Sequence, residues 1–109
     1  MAKLSETHAE EIKESMKAAG INFVVYVPDS WNHLLQKKII EDKAFFSVGM
    51  VREDEAMATA MGAFLGGKNP AIVMEASGLG LSGFALGWVA GIERMALLIV
   101  SSHTGDLGE

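Results

Sequence analysis

Apolar positions along the chain switch repeatedly between the period of a helix and short β-branched runs. Ala9, Ile12, Met16 and Ala19 form a helical stripe that Ser5 or Thr7 can cap and that Gly20 ends. Residues 21–27 are β-branched and aromatic, the pattern of a strand. Pro28-Asp29-Ser30 stops that strand and caps a second helix, with Trp31, Leu34, Leu35 and Ile39 facing inward. Residues 44–51 read as a second strand. A third helix starts at Glu53 and closes at Gly66-Gly67. Residues 70–76 are almost continuously apolar, as a central parallel strand should be. Ser77-Gly78-Leu79-Gly80 then turns into a glycine-striped helix, and residues 95–101 form a fourth apolar strand.

Strands separated by single helices predict an open, parallel α/β sheet with helices on both faces and right-handed crossovers. Ligands on such sheets bind outside the carboxyl ends of the strands. Four segments fall there: Pro28-Asp29-Ser30, Arg52-Glu53, Ser77-Gly78-Leu79-Gly80, and His103-Thr104-Gly105. Doubly wound sheets usually run for one or two further units. The expectation is therefore a shortened chain, or one that a partner completes.

The 109 residues give room for a single domain, residues 1–109, with one real core. Half of them are apolar and 21% charged, a globular balance. A net charge of −5 with no basic stripe excludes nucleic acid as the main partner. Without cysteine there is neither a disulfide framework nor a thiolate metal site, and His8, His33 and His103 lack metal-ligand spacing. The Lys-Ser-Glu-rich N-terminus is no apolar signal sequence and points to the cytoplasm. Residues 76–92 carry no charge, and Gly83, Gly87 and Gly91 repeat at four-residue spacing. That run is at the short end of the about 17–25 residues of a membrane helix, and rich in glycine. A helix buried between the sheet and a partner subunit explains it better than a membrane span.

Glu53 carries the strongest chemical signal. At 100° per residue it falls in line with Met57, Ala60, Met61 and Phe64, the stripe expected to face inward, whereas Asp54 and Glu55 point elsewhere. Acids in a first helical turn complement the macrodipole, which suffices for the latter two. A carboxylate on the inner stripe is costly unless a partner there pairs with it or shares its proton. Gly78 and Gly80 admit two readings. They resemble a phosphate-cradling loop, although the Lys-Ser/Thr ending of a P-loop and the third glycine of a dinucleotide fingerprint are both missing. Alternatively they allow a tight turn with positive φ and close helix–sheet packing.

Taken together, Arg52-Glu53-Asp54-Glu55-Ala56, Gly62-Ala63-Phe64-Leu65-Gly66-Gly67-Lys68, Pro70-Ala71 and Ser77-Gly78-Leu79-Gly80 resemble the pyrimidine-binding domain of thiamine-diphosphate-dependent 2-oxo acid decarboxylases. The nearest branch is that of sulfopyruvate and phosphonopyruvate decarboxylases, where Val27-Pro28-Asp29-Ser30 also has a counterpart. The likeness runs from the first strand to Asp106. It implies a flavodoxin-like fold and gives Glu53, nine residues before Gly62, the role of the glutamate that contacts the cofactor's aminopyrimidine ring. Glu53 then exchanges a proton with ring nitrogen N1′, which favours the imino form at the 4′ position. The thiazolium ring takes up the electrons as carbon dioxide leaves. Ser77, Gly78, Leu79 and Gly80 are the further implied cofactor contacts. Pro28, Asp29, Ser30, His103 and Thr104 are those expected for a small 2-oxo acid substrate.

The Gly-Asp-Gly segment with which the family holds Mg²⁺ and the diphosphate is absent from this sequence. The resemblance therefore implies the alpha, pyrimidine-binding half of a split enzyme. A beta subunit would hold the diphosphate and Mg²⁺ in a heteromer such as α2β2 or larger. Two departures bear on substrate. Glu75-Ala76 stands where relatives often have Gln-Asn, and Thr104-Gly105 where they often have Arg-Gly. An arginine there would anchor a sulfonate or phosphonate, so its loss weakens the case for those substrates more than for the cofactor. The rival readings are a carboligase on the same split plan, a non-catalytic partner-binding domain, and a flavodoxin-like nucleotide-binding module.

Overall fold

The computed structural model describes residues 4–92 and 94–103. Four strands, β1 (Phe23–Tyr26), β2 (Phe46–Gly49), β3 (Pro70–Met74) and β4 (Leu98–Ser101), form one sheet in the order β2-β1-β3-β4. Every pairing is parallel. The helices are α1 (Glu6–Ala18), α2 (His33–Glu41), α3 (Glu53–Leu65), α4 (Ala76–Leu81) and α5 (Gly83–Gly87), the last running into a π-helical turn over Trp88–Ile92. The expected open α/β sheet with helices on both faces is what forms.

Strand alternation divides the core in two. Val24, Ala71 and Val73 face one side with Ala9 and Met16 of α1 and Leu35 and Ile39 of α2. Val25, Ile72 and Met74 face the other, with Ala56, Met57 and Ala60 of α3. All five residues of β3 are buried, as its unbroken apolar run foretold. Ser5 caps α1 by accepting from the His8 amide at 3.2 Å, and Gly20, at φ +85°, turns the chain into β1.

Several expectations shift. The segment Ser77–Gly80 is not a loop, because α4 begins at Ala76, directly after β3. Gly78 and Gly80 therefore do not serve a positive-φ turn; among the described glycines only Gly20 and Gly67 have positive φ. The glycine-striped segment is also not one helix. It breaks at Ser82, whose hydroxyl donates to the Gly78 carbonyl at 2.7 Å, in a stretch where glycine lowers helix propensity. Finally, the inner stripe of α3 is narrower than expected. Ala56, Met57 and Ala60 are buried, whereas Phe64 is 41% exposed, because the sheet ends beneath the first three turns. Trp31 lies ahead of α2 rather than on it and is only half-buried.

Candidate active-site crevice

The strand order places a topological switch between β1 and β3: the chain leaves β1 toward β2 and leaves β3 toward β4. A crevice opens at such a point because the two outgoing connections diverge to opposite faces. Its first wall is the loop after β1, held by Asp29. One carboxylate oxygen accepts from the amides of Trp31 and Asn32, each at 2.8 Å. The other accepts from the side-chain amides of Asn32 and Gln36, each at 3.2 Å. Asn32 also donates to the Met74 carbonyl at 3.0 Å, and Gln36 to the Val27 carbonyl at 2.9 Å. Asp29 thus spends both oxygens on fixing the loop, while Pro28 and Ser30 stay exposed beside it.

Asn32 and Gln36 did not stand out in the sequence, yet both are buried. Their signal was there. Positions 32, 36 and 39 share one face of a helix with Leu35, so two amides sit inside an apolar stripe directly after a capping aspartate. A buried amide of that kind must find partners, and here it finds the backbone at the ends of β1 and β3.

The second wall is the start of α3, which crosses from β2 toward β3. Arg52, extended at φ −126° and ψ 139°, leads into the helix and forks onto Asp54, with Nε and Nη2 each 3.1 Å from a carboxylate oxygen. That bonding holds the Asp54 carboxyl below its ordinary range and raises the guanidinium. Glu55 is exposed. Glu53 behaves differently from both neighbours. It is half-buried and makes no hydrogen bond or ion pair among the described residues. Its side chain lies on Gly78: a Cβ built there would overlap Cγ of Glu53 and stand 2.6 Å from Cδ and 2.8 Å from Oε1.

Of the segment 77–80, then, only Gly78 is buried and meets Glu53. Ser77 is exposed and donates to Glu75 at 3.1 Å; Leu79 and Gly80 are exposed. His103 is exposed just beyond β4, and Thr104 lies outside the described residues. Among the described residues no group of three or more acids and histidines could hold a metal. No described helix is long and apolar enough to cross a membrane.

Beside the crevice runs an open groove of about 460 Å³ between α3 and α5. Its floor is apolar (Ala58, Met61, Leu81, Trp88), and Asp54 and Glu55 stand at one end. Phe84 is 85% exposed, with its ring centroid 6.2 Å from that of Trp88. Nothing in the sequence pattern had singled out Phe84 for this surface.

The parallel sheet with its helices has a clear structural counterpart. The chain superimposes on part of a 2-oxoglutarate:ferredoxin oxidoreductase from Magnetococcus marinus with a TM-score of 0.78, covering 90% of this chain and 18% of that one at 20% identity. That likeness defines the fold. In sequence, the chain is similar to sulfopyruvate decarboxylase subunit alpha of Methanococcus maripaludis, 33% identical over 93% of this chain and 60% of the relative. It is likewise 37% identical to sulfopyruvate decarboxylase subunit alpha of Methanocaldococcus jannaschii, over 90% of this chain and 58% of the relative. The chain thus spans about 60% of the length of these relatives. No protein-family model matches it.

Proposed function

We propose that this chain is the alpha, pyrimidine-binding part of a two-subunit, thiamine-diphosphate-dependent 2-oxo acid decarboxylase of the sulfopyruvate decarboxylase kind, working in the cytoplasm. The carrying observation is Glu53: a half-buried carboxylate with no hydrogen bond or ion pair, set at the strand ends against a bare glycine. A carboxylate so placed fits a ring nitrogen that can share its proton.

When bound, the cofactor supplies the electron sink for decarboxylation. The chain's part is to aim and protect. Glu53 holds or releases a proton at the pyrimidine nitrogen, and the wall at Gly78 limits water around its carboxylate. Ser77, Leu79 and Gly80 rim the same edge and are the remaining cofactor contacts in this reading. The loop Pro28-Asp29-Ser30, held by Asn32 and Gln36, is the substrate wall in this reading, and His103 and Thr104 are its further proposed substrate contacts. Mg²⁺ and the diphosphate fall to a beta subunit, in an assembly such as α2β2. The apolar groove with Phe84 is the surface on which such a subunit would seat, since patches of this kind mark association.

The test is reconstitution with a diphosphate-binding beta subunit. Glu53→Gln should leave folding and assembly intact and reduce turnover of the 2-oxo acid by about a hundredfold or more. Unchanged turnover would remove the proposed mechanism. Tight binding of thiamine diphosphate and Mg²⁺ by the chain alone would remove the split site.

A further inference from the structure

We infer that Gly78 is a positioning residue whose bare Cα is the seat of the Glu53 side chain, so that the glycine acts through the glutamate rather than through a ligand of its own. The inference gives a mechanism to the site proposed above, and its stability arm stands without that reading.

The geometry has three parts. A Cβ at Gly78 would occupy the position of Glu53 Cγ, and it would crowd Cδ and Oε1 at 2.6 and 2.8 Å, distances that real Cβ atoms do not reach. Cγ is not the loose end of the side chain. It is one bond from the Cβ fixed on α3, so it moves only if Glu53 changes rotamer or α3 parts from α4. Nor can Gly78 retreat. Its carbonyl accepts both the Ser82 hydroxyl at 2.7 Å and the Ser82 amide at 3.0 Å, and Ser82 is fully buried. The other glycines of this segment offer a contrast on the same chain: at Gly80, Gly83, Gly87 and Gly91 an added Cβ would meet nothing within 4 Å. Backbone dihedrals do not demand glycine at 78 either, since it lies within a helix and has no positive φ. Of the five glycines from 78 to 91, one is there because a side chain from another helix takes the space its own would fill.

It follows that the carboxylate's place in the crevice is set by steric closure, not by a hydrogen bond. A glutamate with no hydrogen-bond partner lies in the slot that the bare Cα of Gly78 leaves it.

The experiment is a double-mutant cycle on the full chain. Gly78→Ala should lower the melting temperature by several degrees when Glu53 is present. In a Glu53→Ala background, which lacks Cγ, Cδ and the carboxylate, the same change should leave the melting temperature level or raise it, because alanine is the better helix former. Should Gly78→Ala alone fail to fold, recovery of folding in Gly78→Ala/Glu53→Ala carries the same meaning. Equal destabilisation in both backgrounds would overturn the inference. In the reconstituted complex, Gly78→Ala should cut turnover by about a hundredfold with Glu53 in place, as misplacement of a reacting group does. Added to Glu53→Ala, which removes the overlapping atoms, it should change turnover less than about twofold. A further large loss on top of Glu53→Ala would assign Gly78 a contact of its own and overturn the positioning role. If the complex shows no decarboxylation at all, the function fails while the sign change in melting temperature still decides the seat.

Discussion

The two faces of the sheet are finished to different standards. On one, α1 and α2 bury Met16, Leu35 and Ile39, and their outer edges are tied by ions. Lys13 bonds Glu10 at 2.9 Å and Asp42 at 3.3 Å, Lys17 bonds Asp42 at 3.0 Å, and Lys38 bonds Glu10 at 3.2 Å. On the other, α3 covers the middle of the sheet, but α4 and α5 are short and broken and leave Leu81, Phe84 and Trp88 exposed. Charges suit a face that meets water, whereas apolar side chains over open glycines suit a face that meets protein. The crevice with Glu53 opens on the second face, where the chain is least complete by itself.

The widest separation between the faces should come from paired truncations. Leu35→Ala removes a fully buried side chain from the finished face and should cost about 2–5 kcal/mol in denaturant titration. Phe84→Ala should change the stability of the chain alone by no more than about 0.5 kcal/mol. It should instead weaken assembly with the proposed beta subunit by about tenfold or more, measured by titration. A large stability loss from Phe84→Ala would mean that the open face is closed by the chain itself, and the contrast would collapse.

Asn32 probes where the finished face reaches the crevice. Replacing it by alanine removes one of two donors from the Met74 carbonyl, which keeps the Ser102 amide at 3.3 Å, and one of two from an Asp29 oxygen, which keeps Gln36. A loss of about 1–3 kcal/mol is expected, read as a lower urea midpoint at unchanged slope. Were the midpoint to stay put, the remaining donors from Gln36 and Ser102 would suffice and the loop after β1 would not depend on Asn32.

The fold was legible because its causes are local. The β-branched runs at Val24-Val25 and Ile72-Val73, the Ser5 cap and the stop at Gly20 each act within a few residues of themselves. Glu53 was singled out by its helical angle and, through the family resemblance alone, by its distance to Gly62. Where the sequence misled, the cause was long-range. Gly78 looked like a turn glycine, and only the arrival of α3 from a different crossover shows why a side chain has no room there. Ser82 breaks the glycine-rich helix through a bond to its own preceding turn, which competes with helix extension in a way that propensity alone does not rank. Phe64 sits on a geometrically correct stripe, but no stripe reveals where the sheet beneath it ends. Asn32 and Gln36 were readable in principle, since two amides within an apolar face require partners, but those partners are carbonyls of other strands.

The smallest effect concerns the ionic edge of the finished face. The Asp42 carboxyl is lowered from 3.8 to about 2, first by the Ala44 amide and then by Lys17, with Lys13 adding to it. A carboxyl whose folded value lies below its unfolded one stabilises the chain fully above the unfolded value, and that contribution disappears as pH falls through about 2. Lys13 and Lys17 remain charged throughout this range, with their own values raised by the same contacts. Asp42→Asn should therefore lower the melting temperature at neutral pH by less than Asn32→Ala does, and the two curves should converge as the pH is taken from 4 toward 2. Because Glu10 is also lowered, by Lys13 and Lys38, some acid dependence should persist in the variant. A gap that stays constant from neutral pH to pH 2 would place the Asp42 contribution in the turn geometry around Ala44 instead of in its charge. The finished face would then owe its stability to packing alone, and the contrast with the open face would rest on hydrophobic burial without help from ions.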